Sequence, residues 1–317
     1  MKLAFMGTPD FAASILIELM QQHQVVAVYS RADAVRGRGK QLVPSPVKEV
    51  AMRAGIPVFE PASLKNNEET LRLKQLAPDA ICVAAYGKIL PQAVLDIPKY
   101  GCFNVHASLL PKYRGAAPIE RAILNGDSEA GVCIMRMEAG LDTGDYCISR
   151  SVQIEGMSSA YLTQELADKG ACALLSALFD AQAGQLRWTK QDESEASWAP
   201  KIEKGELNCN SADPADLNVR RVLASSEQHP SKCVVAGKGV TVLKAKLVKQ
   251  GDQILEQLGC LGPGSVAYVA KRLFLGCASG VFEICEIKPD GKKEMSAVAF
   301  ASGVQNIKNG TITWETK

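Results

Sequence analysis

Residues 79–85 read Asp-Ala-Ile-Cys-Val-Ala-Ala, a short and almost wholly apolar segment. A strand that is covered on both faces loses the alternation of polar and apolar residues, so this composition predicts a buried strand of a parallel sheet. Short apolar strands and amphipathic helical segments alternate on both sides of it. This order predicts an α/β fold with a doubly wound, mostly parallel, Rossmann-like sheet, in which ligands bind at the carboxyl ends of the strands.

The next predicted strand opens residues 102–118, Cys-Phe-Asn-Val-His-Ala-Ser-Leu-Leu-Pro-Lys-Tyr-Arg-Gly-Ala-Ala-Pro. Its period of two places Asn104 and His106 on the same face, one strand step apart. An amide donor beside a titratable ring is suited to stabilising an oxyanion and moving a proton. An Asn-x-His pair is a weak motif by itself, so a purely structural histidine is the competing interpretation at this point.

A carboxylate that could join this pair lies in the loop Gly140-Leu141-Asp142-Thr143-Gly144-Asp145, directly after another predicted strand. Acidic loops bracketed by glycine are usually turns. The functional alternative is that Asp142 or Asp145 faces His106, where a carboxylate would orient the ring and favour its protonated form.

Two stretches near the N-terminus could bind anions. Gly7-Thr8-Pro9 joins a strand to a helix, with Thr8 predicted as the N-cap, and is either a plain turn or an anion-binding helix end. Residues 31–46 lack periodicity and contain Arg36-Gly37-Arg38-Gly39-Lys40. They are either a basic flap that grips phosphates or a solvated loop.

The pattern changes after a polar stretch. We predict a catalytic domain over residues 1–188, a linker over 189–206 and a second domain over 207–317. Short strands separated by glycine turns predict that the second domain is a smaller β-barrel of the oligonucleotide-binding (OB-like) type. Residues 201–317 hold 16 Lys and Arg against 12 Asp and Glu, which favours a polyanionic partner for this part of the chain.

Composition excludes several classes of protein. A hydrophobic content of 47% with 22% charged residues and a net charge of +2 is typical of an ordinary globular protein. The ten cysteines show no metal-ligand spacing, so we expect reduced thiols and no metal site. Residues 1–20 lack the apolar core of a signal peptide, and no apolar run approaches the roughly 20 residues that span a bilayer. We therefore expect a cytoplasmic protein without membrane contact.

Several motifs occur together in the order of one family. With Asn104-x-His106 and Leu141-Asp142-Thr143-Gly144 in place, the chain resembles the formyltransferases that use 10-formyltetrahydrofolate, and most closely those that act on methionyl-tRNA. The resemblance extends over nearly all of residues 1–205. It also includes the following segments: Gly7-Thr8-Pro9-Asp10-Phe11, Gly37-Arg38-Gly39-Lys40, Pro44-Ser45-Pro46-Val47-Lys48 and Tyr113-Arg114-Gly115-Ala116-Ala117-Pro118-Ile119.

The resemblance implies a role for individual residues. Asn104, His106 and Asp142 match the catalytic residues of the family. The family's folate-binding segment is matched by four successive residues: Ser108, Leu109, Leu110 and Pro111. Arg38, with Lys40 beside it, matches a loop that contacts the tRNA acceptor stem. The family's second domain is an OB-like barrel, but the signature expected after the linker is replaced by residues 227–232, which leaves the tRNA contacts of this domain open.

The implied function is transfer of a formyl group from 10-formyltetrahydrofolate to the α-amine of initiator methionyl-tRNA, by a monomeric enzyme without a metal. Two alternatives stay open. One is a formyltransferase that acts on a nucleotide-sugar or purine-precursor amine, and the other is a non-enzymatic RNA-binding protein with this fold. A Rossmann-type dehydrogenase is disfavoured because the Gly-x-Gly-x-x-Gly fingerprint is missing.

Overall fold

The structure is a computed structural model that describes residues 1–36, 41–307 and 311–317. The chain forms two compact units, which are described separately below. The first unit consists of Met1–Pro118, Glu129–Gln153 and Tyr161–Pro200. The second consists of Ile119–Ser128, Ile154–Ala160 and Lys201–Lys317. The domain and linker bounds expected from the sequence stay a prediction.

The elements before residue 200 follow the alternation that the sequence predicts. In chain order they are β1 (Lys2–Gly7), α1 (Asp10–Gln22), β2 (Gln24–Tyr29), β3 (Ala34–Arg36), β4 (Gln41–Val43), α2 (Pro46–Arg53), β5 (Val58–Phe59), α3 (Asn67–Leu76), β6 (Ala80–Ala84), α4 (Gln92–Leu95), β7 (Cys102–His106), β8 (Arg114–Gly115), α5 (Pro118–Asn125), β9 (Glu129–Arg136), β10 (Tyr146–Gln153), α6 (Ser159–Ala183) and β11 (Trp198–Ala199).

One sheet forms the core of the first unit. Among the described residues it has seven strands in the order β10-β9-β7-β6-β1-β2-β5. The strands from β7 to β5 run parallel, whereas β9 and β10 are antiparallel to their neighbours. Every residue of β6 is buried, as expected for a strand covered on both faces. The predicted mostly parallel, Rossmann-like sheet is thereby confirmed.

The start of α1 differs from the sequence prediction. Pro9, not Thr8, is the N-cap, and no side chain caps the helix. The amides of Ala12 and Ala13 both donate to the Pro9 carbonyl, so the helix begins one residue later than a threonine cap would place it. A Cβ on Gly7 would lie 2.6 Å from the Cβ of Ala12. Gly7 therefore allows close packing of helix against strand, and Thr8 was wrongly assigned as the cap.

The predicted basic flap has strand structure in its described arms. β3 and β4 pair as antiparallel strands, with Ala34 opposite Val43. At the base of these arms, the Lys48 ammonium lies 2.7 Å from Asp33 and 2.9 Å from Glu60. These hydrogen bonds raise the pKa of Lys48 above its usual value. Residues 37–40 lie outside the described residues.

The second unit is built on an antiparallel sheet. Its elements after residue 200 are α7 (Ala215–Leu223), β12 (Lys232–Val235), β13 (Lys238–Leu247), α8 (Ile254–Leu258), β14 (Val266–Val269), β15 (Arg272–Gly276), β16 (Val281–Pro289), β17 (Met295–Ser296), α9 (Ala297–Ser302) and β18 (Trp314–Thr316). In the described part of the chain the strands follow the order β14-β15-β16-β13-β12-β18, and β17 pairs with β16.

The two ends of this sheet meet. Ser265 and Thr313 form an isolated antiparallel bridge, and the Trp314 amide donates to the Gly264 carbonyl at 2.8 Å. Contact between the first and last strands leaves fewer unpaired edge groups, as in a closed barrel. Trp314 also packs edge-on against Phe282, with ring centroids 5.8 Å apart. The predicted small β-barrel is confirmed at the level of architecture.

The described part of the chain contains no helix that is long and apolar enough to cross a bilayer. Within the same residues, no group of three or more His, Cys, Asp or Glu side chains is arranged to hold a metal ion.

We predict that only two thiols react rapidly in the folded protein. Cys172 and Cys260 are exposed, six cysteines are buried and two are half-buried. Burial raises the pKa of the Cys133 thiol to about 11 and that of Cys102 to about 12, so little of the reactive thiolate forms there at pH 8. Titration with a disulfide reagent should therefore show two fast equivalents, with the rest released on unfolding.

A variant that carries both Cys172→Ser and Cys260→Ser is the control for this titration. It should lose the fast phase and keep the slow one. A fast phase of more than two equivalents in the parent protein would contradict the described burial of the remaining thiols.

Candidate active site

Asn104 and His106 lie at the carboxyl edge of the parallel strands. In β7, Asn104 is opposite Val83 of β6, and Ala84, the last residue of β6, is opposite Gly7 of β1. Parallel strands bring their carboxyl ends to one edge of the sheet, where ligands of this fold class bind. The strand ends at His106, five residues before Pro111, so the residues between them form a loop above this edge.

The His106 ring is buried and held from both sides. Its Nε2 lies 3.0 Å from the Tyr113 carbonyl oxygen. A carbonyl can only accept, so Nε2 carries the hydrogen in this contact. Its Nδ1 lies 3.7 Å from Oδ2 of Asp142, which is longer than a hydrogen bond but close enough for an ionic contact with a protonated ring. Nδ1 is therefore the nitrogen that is available for proton exchange, and it faces a carboxylate.

Asp142 reaches His106 from a loop outside the sheet. The Gly115 amide donates to its Oδ2 at 2.9 Å, and its backbone is left-handed, with φ +53°. A left-handed conformation is unfavourable for a residue other than glycine, so contacts elsewhere must hold it. The predicted loop Gly140-Leu141-Asp142-Thr143-Gly144 thus places Asp142 beside the ring. Asp145 instead accepts through its carbonyl from the Arg136 amide.

The Asn104 side chain is half-buried and makes no hydrogen bond to any residue within 1–36, 41–307 or 311–317. Both of its amide hydrogens are therefore available to a ligand. It is two residues from His106 on one strand, and the two side chains project from the same face. A free amide donor, an imidazole and a carboxylate are thus grouped at one sheet edge.

The four predicted folate-binding residues follow directly. The Ser108 side chain is buried and donates to the Lys112 carbonyl at 2.6 Å. Leu110 is buried too, and its amide contacts Cys133 Sγ at 3.4 Å. Leu109 and Pro111 are half-buried. Contacts from this segment to a ligand would therefore come from its backbone and from Leu109 and Pro111.

A strand pair outside the main sheet supports the loop. Trp198 of β11 lies opposite Arg114 of β8. The Tyr113 amide donates to Ser197 Oγ at 2.9 Å, and the Arg114 amide to the Ser197 carbonyl at 2.8 Å. Tyr113 has a left-handed φ of +61°, and its carbonyl is the one that holds His106. The segment around residue 198 thus helps to fix the carbonyl that accepts from the His106 ring.

Gln191, a buried polar residue of the same segment, contacts the Asp142 loop. The Gln191 amide nitrogen donates to the carbonyls of Asp142 at 2.9 Å and Gly144 at 2.7 Å. Arg114 donates to Gln191 and forms two hydrogen bonds with Glu193, which lower the pKa of that carboxyl. The sequence prediction placed Gln191 and Glu193 in the linker and Arg114 in the catalytic domain, because no local pattern pairs Arg114 with a residue so distant in the chain.

Arg38 and Lys40, the residues predicted to contact tRNA, lie outside the described residues. Their role stays a prediction. The described arms of the hairpin, β3 and β4, flank them in the chain.

Comparison with known proteins reveals similarity over both units. A family model described as "Formyl transferase" matches residues 1–178, and one described as "Formyl transferase, C-terminal domain" matches residues 201–305. The methionyl-tRNA formyltransferase of Methylococcus capsulatus is 42% identical over 302 residues, covering 95% of this chain and 96% of the relative. That of Caldanaerobacter subterraneus is 42% identical over 317 residues, covering 98% and 99%.

Solved structures share the fold at lower identity. HypX from Aquifex aeolicus in complex with tetrahydrofolic acid superposes with a TM-score of 0.65 at 19% identity. The match covers 95% of this chain and 48% of HypX, so this chain spans about half the length of that protein. This similarity supports the fold alone.

We predict that Gly144→Ala distorts the loop that carries Asp142. A Cβ at this position would lie 1.9 Å from the Arg136 carbonyl oxygen, a backbone atom that cannot move without disturbing β9. Such overpacking typically costs about 1–3 kcal/mol. Thermal unfolding should show a lower midpoint. The matched control is Gly262→Ala, where the added Cβ meets no atom within 4 Å among the described residues beyond its own chain neighbours. Equal midpoints for the two variants would contradict the described loop.

Proposed function

The chain belongs to the methionyl-tRNA formyltransferase family, and we propose that it transfers the formyl group of 10-formyltetrahydrofolate to the α-amine of initiator methionyl-tRNA. This reaction prepares the initiator for translation. The observation that carries the proposal is the grouping of Asn104, His106 and Asp142 at one sheet edge, in a chain whose similarity to this family extends over nearly its full length.

The proposed mechanism uses these three side chains to stabilise charge and move one proton. The co-substrate supplies a formyl carbon that the amine of the aminoacyl-tRNA attacks, which places negative charge on the formyl oxygen. Asn104 donates an amide hydrogen to that oxygen. In its protonated form, His106 donates from Nδ1, since Nε2 is engaged by the Tyr113 carbonyl. Donors fixed in advance stabilise such charge without reorganising.

Asp142 has two roles in this mechanism. Its Oδ2 is 3.7 Å from Nδ1 of His106, so it orients the imidazole ring. It also accepts a proton from the attacking amine, directly or through water, and returns it to the departing N10 nitrogen. The Gly115 amide holds the carboxylate in place during this exchange.

The residues present are compatible with a folate co-substrate. The unpartnered amide of Asn104 suits the formyl oxygen. The segment that follows β7 presents backbone groups together with the half-buried Leu109 and Pro111, and we propose that these contact the folate. The Ser108 hydroxyl already donates to the Lys112 carbonyl, so Ser108 acts by shaping this segment.

The proposal extends to the partner of the protein and its location. We propose that tRNA contacts Arg38 and Lys40 and the excess positive charge of residues 201–317. We also propose a monomeric state, a cytoplasmic location and domain bounds of 1–188, 189–206 and 207–317.

A sugar or purine-precursor amine as acceptor is disfavoured by the near full-length similarity to enzymes named for methionyl-tRNA. A purely RNA-binding role is disfavoured because it has no need for a grouped amide, imidazole and carboxylate.

Formyl transfer tests the proposal directly. The protein is incubated with 10-formyltetrahydrofolate and either charged methionyl-tRNA or free amino sugars, and the formyl group is followed. We expect product only with the tRNA. Formylated sugar would replace this function with the first alternative, and transfer to neither acceptor would favour the RNA-binding alternative.

In the same assay, Asn104→Ala should lower kcat by about 10² to 10³, the usual effect of removing one oxyanion donor. The side chain is half-buried and bonded to no described residue, so the melting temperature should change little. Turnover close to that of the parent would remove Asn104 from the mechanism.

Arg38→Ala should raise the KM for tRNA and flatten its dependence on salt. A lost phosphate contact reduces the slope of log affinity against log salt by about 1. Arg53→Ala is the matched control, because Arg53 is 79% exposed and its ion pair, with Glu49, lies within the same helix. A salt response that Arg38→Ala leaves unchanged would assign residue 38 to a plain surface loop.

A further inference from the structure

The loop that carries Asp142 needs an anchor that its own side chains do not provide. Asp142 is left-handed, with φ +53°, and the preceding Leu141 is 61% exposed. The Gly115 amide fixes the carboxylate, but a side-chain contact does not by itself fix the backbone. A carboxylate displaced by about 1 Å from its productive position can lower a reaction rate by about 10².

Gln191 supplies a direct contact to that backbone. Its side chain is 4% exposed, and its amide nitrogen donates both hydrogens, one to the Asp142 carbonyl at 2.9 Å and one to the Gly144 carbonyl at 2.7 Å. The two acceptors flank Thr143. One planar amide therefore sets the orientation of two peptide groups in the loop.

Arg114 fixes which way the Gln191 amide points. Its Nε donates to Gln191 Oε1 at 3.0 Å. An arginine only donates, so the carboxamide oxygen must face it and the nitrogen must face the loop. The reversed amide would put its oxygen against two carbonyl oxygens and its nitrogen against a donor. Both contacts of Gln191 thus support the same orientation.

Arg114 is itself oriented by a carboxylate. It is 2% exposed, and its Nη1 and Nη2 donate to the two oxygens of Glu193 at 2.9 and 2.8 Å. Such bidentate pairs fix the plane of the guanidinium as well as its position. Arg114 also directly precedes Gly115. The dipeptide Arg114-Gly115 therefore holds Asp142 in two ways. The Gly115 amide binds its carboxylate, and Arg114 orients the Gln191 amide that binds its backbone.

We propose that Gln191 is a positioning residue for Asp142, and that Arg114 and Glu193 orient it. The inference rests on the proposed role of Asp142. Gln191 contacts Asp142 only at its backbone and takes no part in the chemistry. Its loss should therefore lower kcat with little change in the KM of either substrate, and only as long as Asp142 retains its carboxylate.

The test is a double-mutant comparison in the formyl-transfer assay. Gln191→Met preserves side-chain length and removes both donors. We expect kcat to fall about 10- to 100-fold in the parent protein and to stay the same when the change is added to Asp142→Asn. Gln164→Met is the matched control, since Gln164 is an exposed glutamine whose amide donates to Asp168 on its own helix. It should leave kcat unchanged in both backgrounds.

The outcomes distinguish the positioning role of Gln191 from the proposed role of Asp142. An equal fall in kcat from Gln191→Met in both backgrounds would show a general effect on the fold and overturn the inference, as would unchanged kcat in the parent. If Asp142→Asn alone turns over like the parent, the role of Asp142 in the proposed mechanism fails instead.

A second variant covers the case in which Gln191→Met does not fold. The Glu193 side chain is 70% exposed, so Glu193→Ala leaves no buried cavity. It removes the carboxylate that orients Arg114 and leaves the contact between Arg114 and Gln191 in place. A several-fold fall in kcat that disappears in the Asp142→Asn background supports the inference. The same fall in both backgrounds overturns it.

Discussion

The hydrogen bond from the Gly115 amide to the Asp142 carboxylate is the contact on which the candidate site depends. The parallel sheet brings Asn104 and His106 to its carboxyl edge, but it cannot supply a third group from a loop beyond its antiparallel edge strands. A hydrogen bond to a charged group contributes about 1.5–3 kcal/mol, enough to offset the cost of one left-handed residue. The imidazole thereby acquires a carboxylate on the side opposite the Tyr113 carbonyl.

Features that depend on local pattern were predictable from the sequence. The apolar run in β6, the alternation in β7 and the grouping of Asn104 with His106 all follow from periodicity, and the structure retains them. The Asp142 loop could be proposed as a partner for His106, because it follows a predicted strand and carries carboxylates. A plain turn was the competing interpretation. Thr8 failed as a cap because Pro9 has an extended and not a helical backbone, which moves the start of α1 to Asp10.

Features that depend on pairing between distant residues were not predictable. Nothing local indicates that β9 and β10 run antiparallel to the sheet, or that β3 pairs with β4. The polar composition that suggested a linker also describes Gln191, which is buried against Arg114, and Glu193, which pairs with Arg114 from the surface. Burial of polar groups requires matched partners, and a single sequence does not reveal which partner lies 77 residues away.

The second unit consists mostly of Lys201–Lys317 but includes residues from much earlier in the chain. Ile119–Ser128 belongs to it, and within it Arg121 donates to the Lys201 carbonyl at 3.0 Å and pairs with Glu206. A ribosome makes residue 121 long before residues 201–317. The nascent chain must therefore hold Arg121 without these two partners until Lys201 and Glu206 emerge. During synthesis the second unit can therefore be completed only after its later segment is made, although part of it is made much earlier.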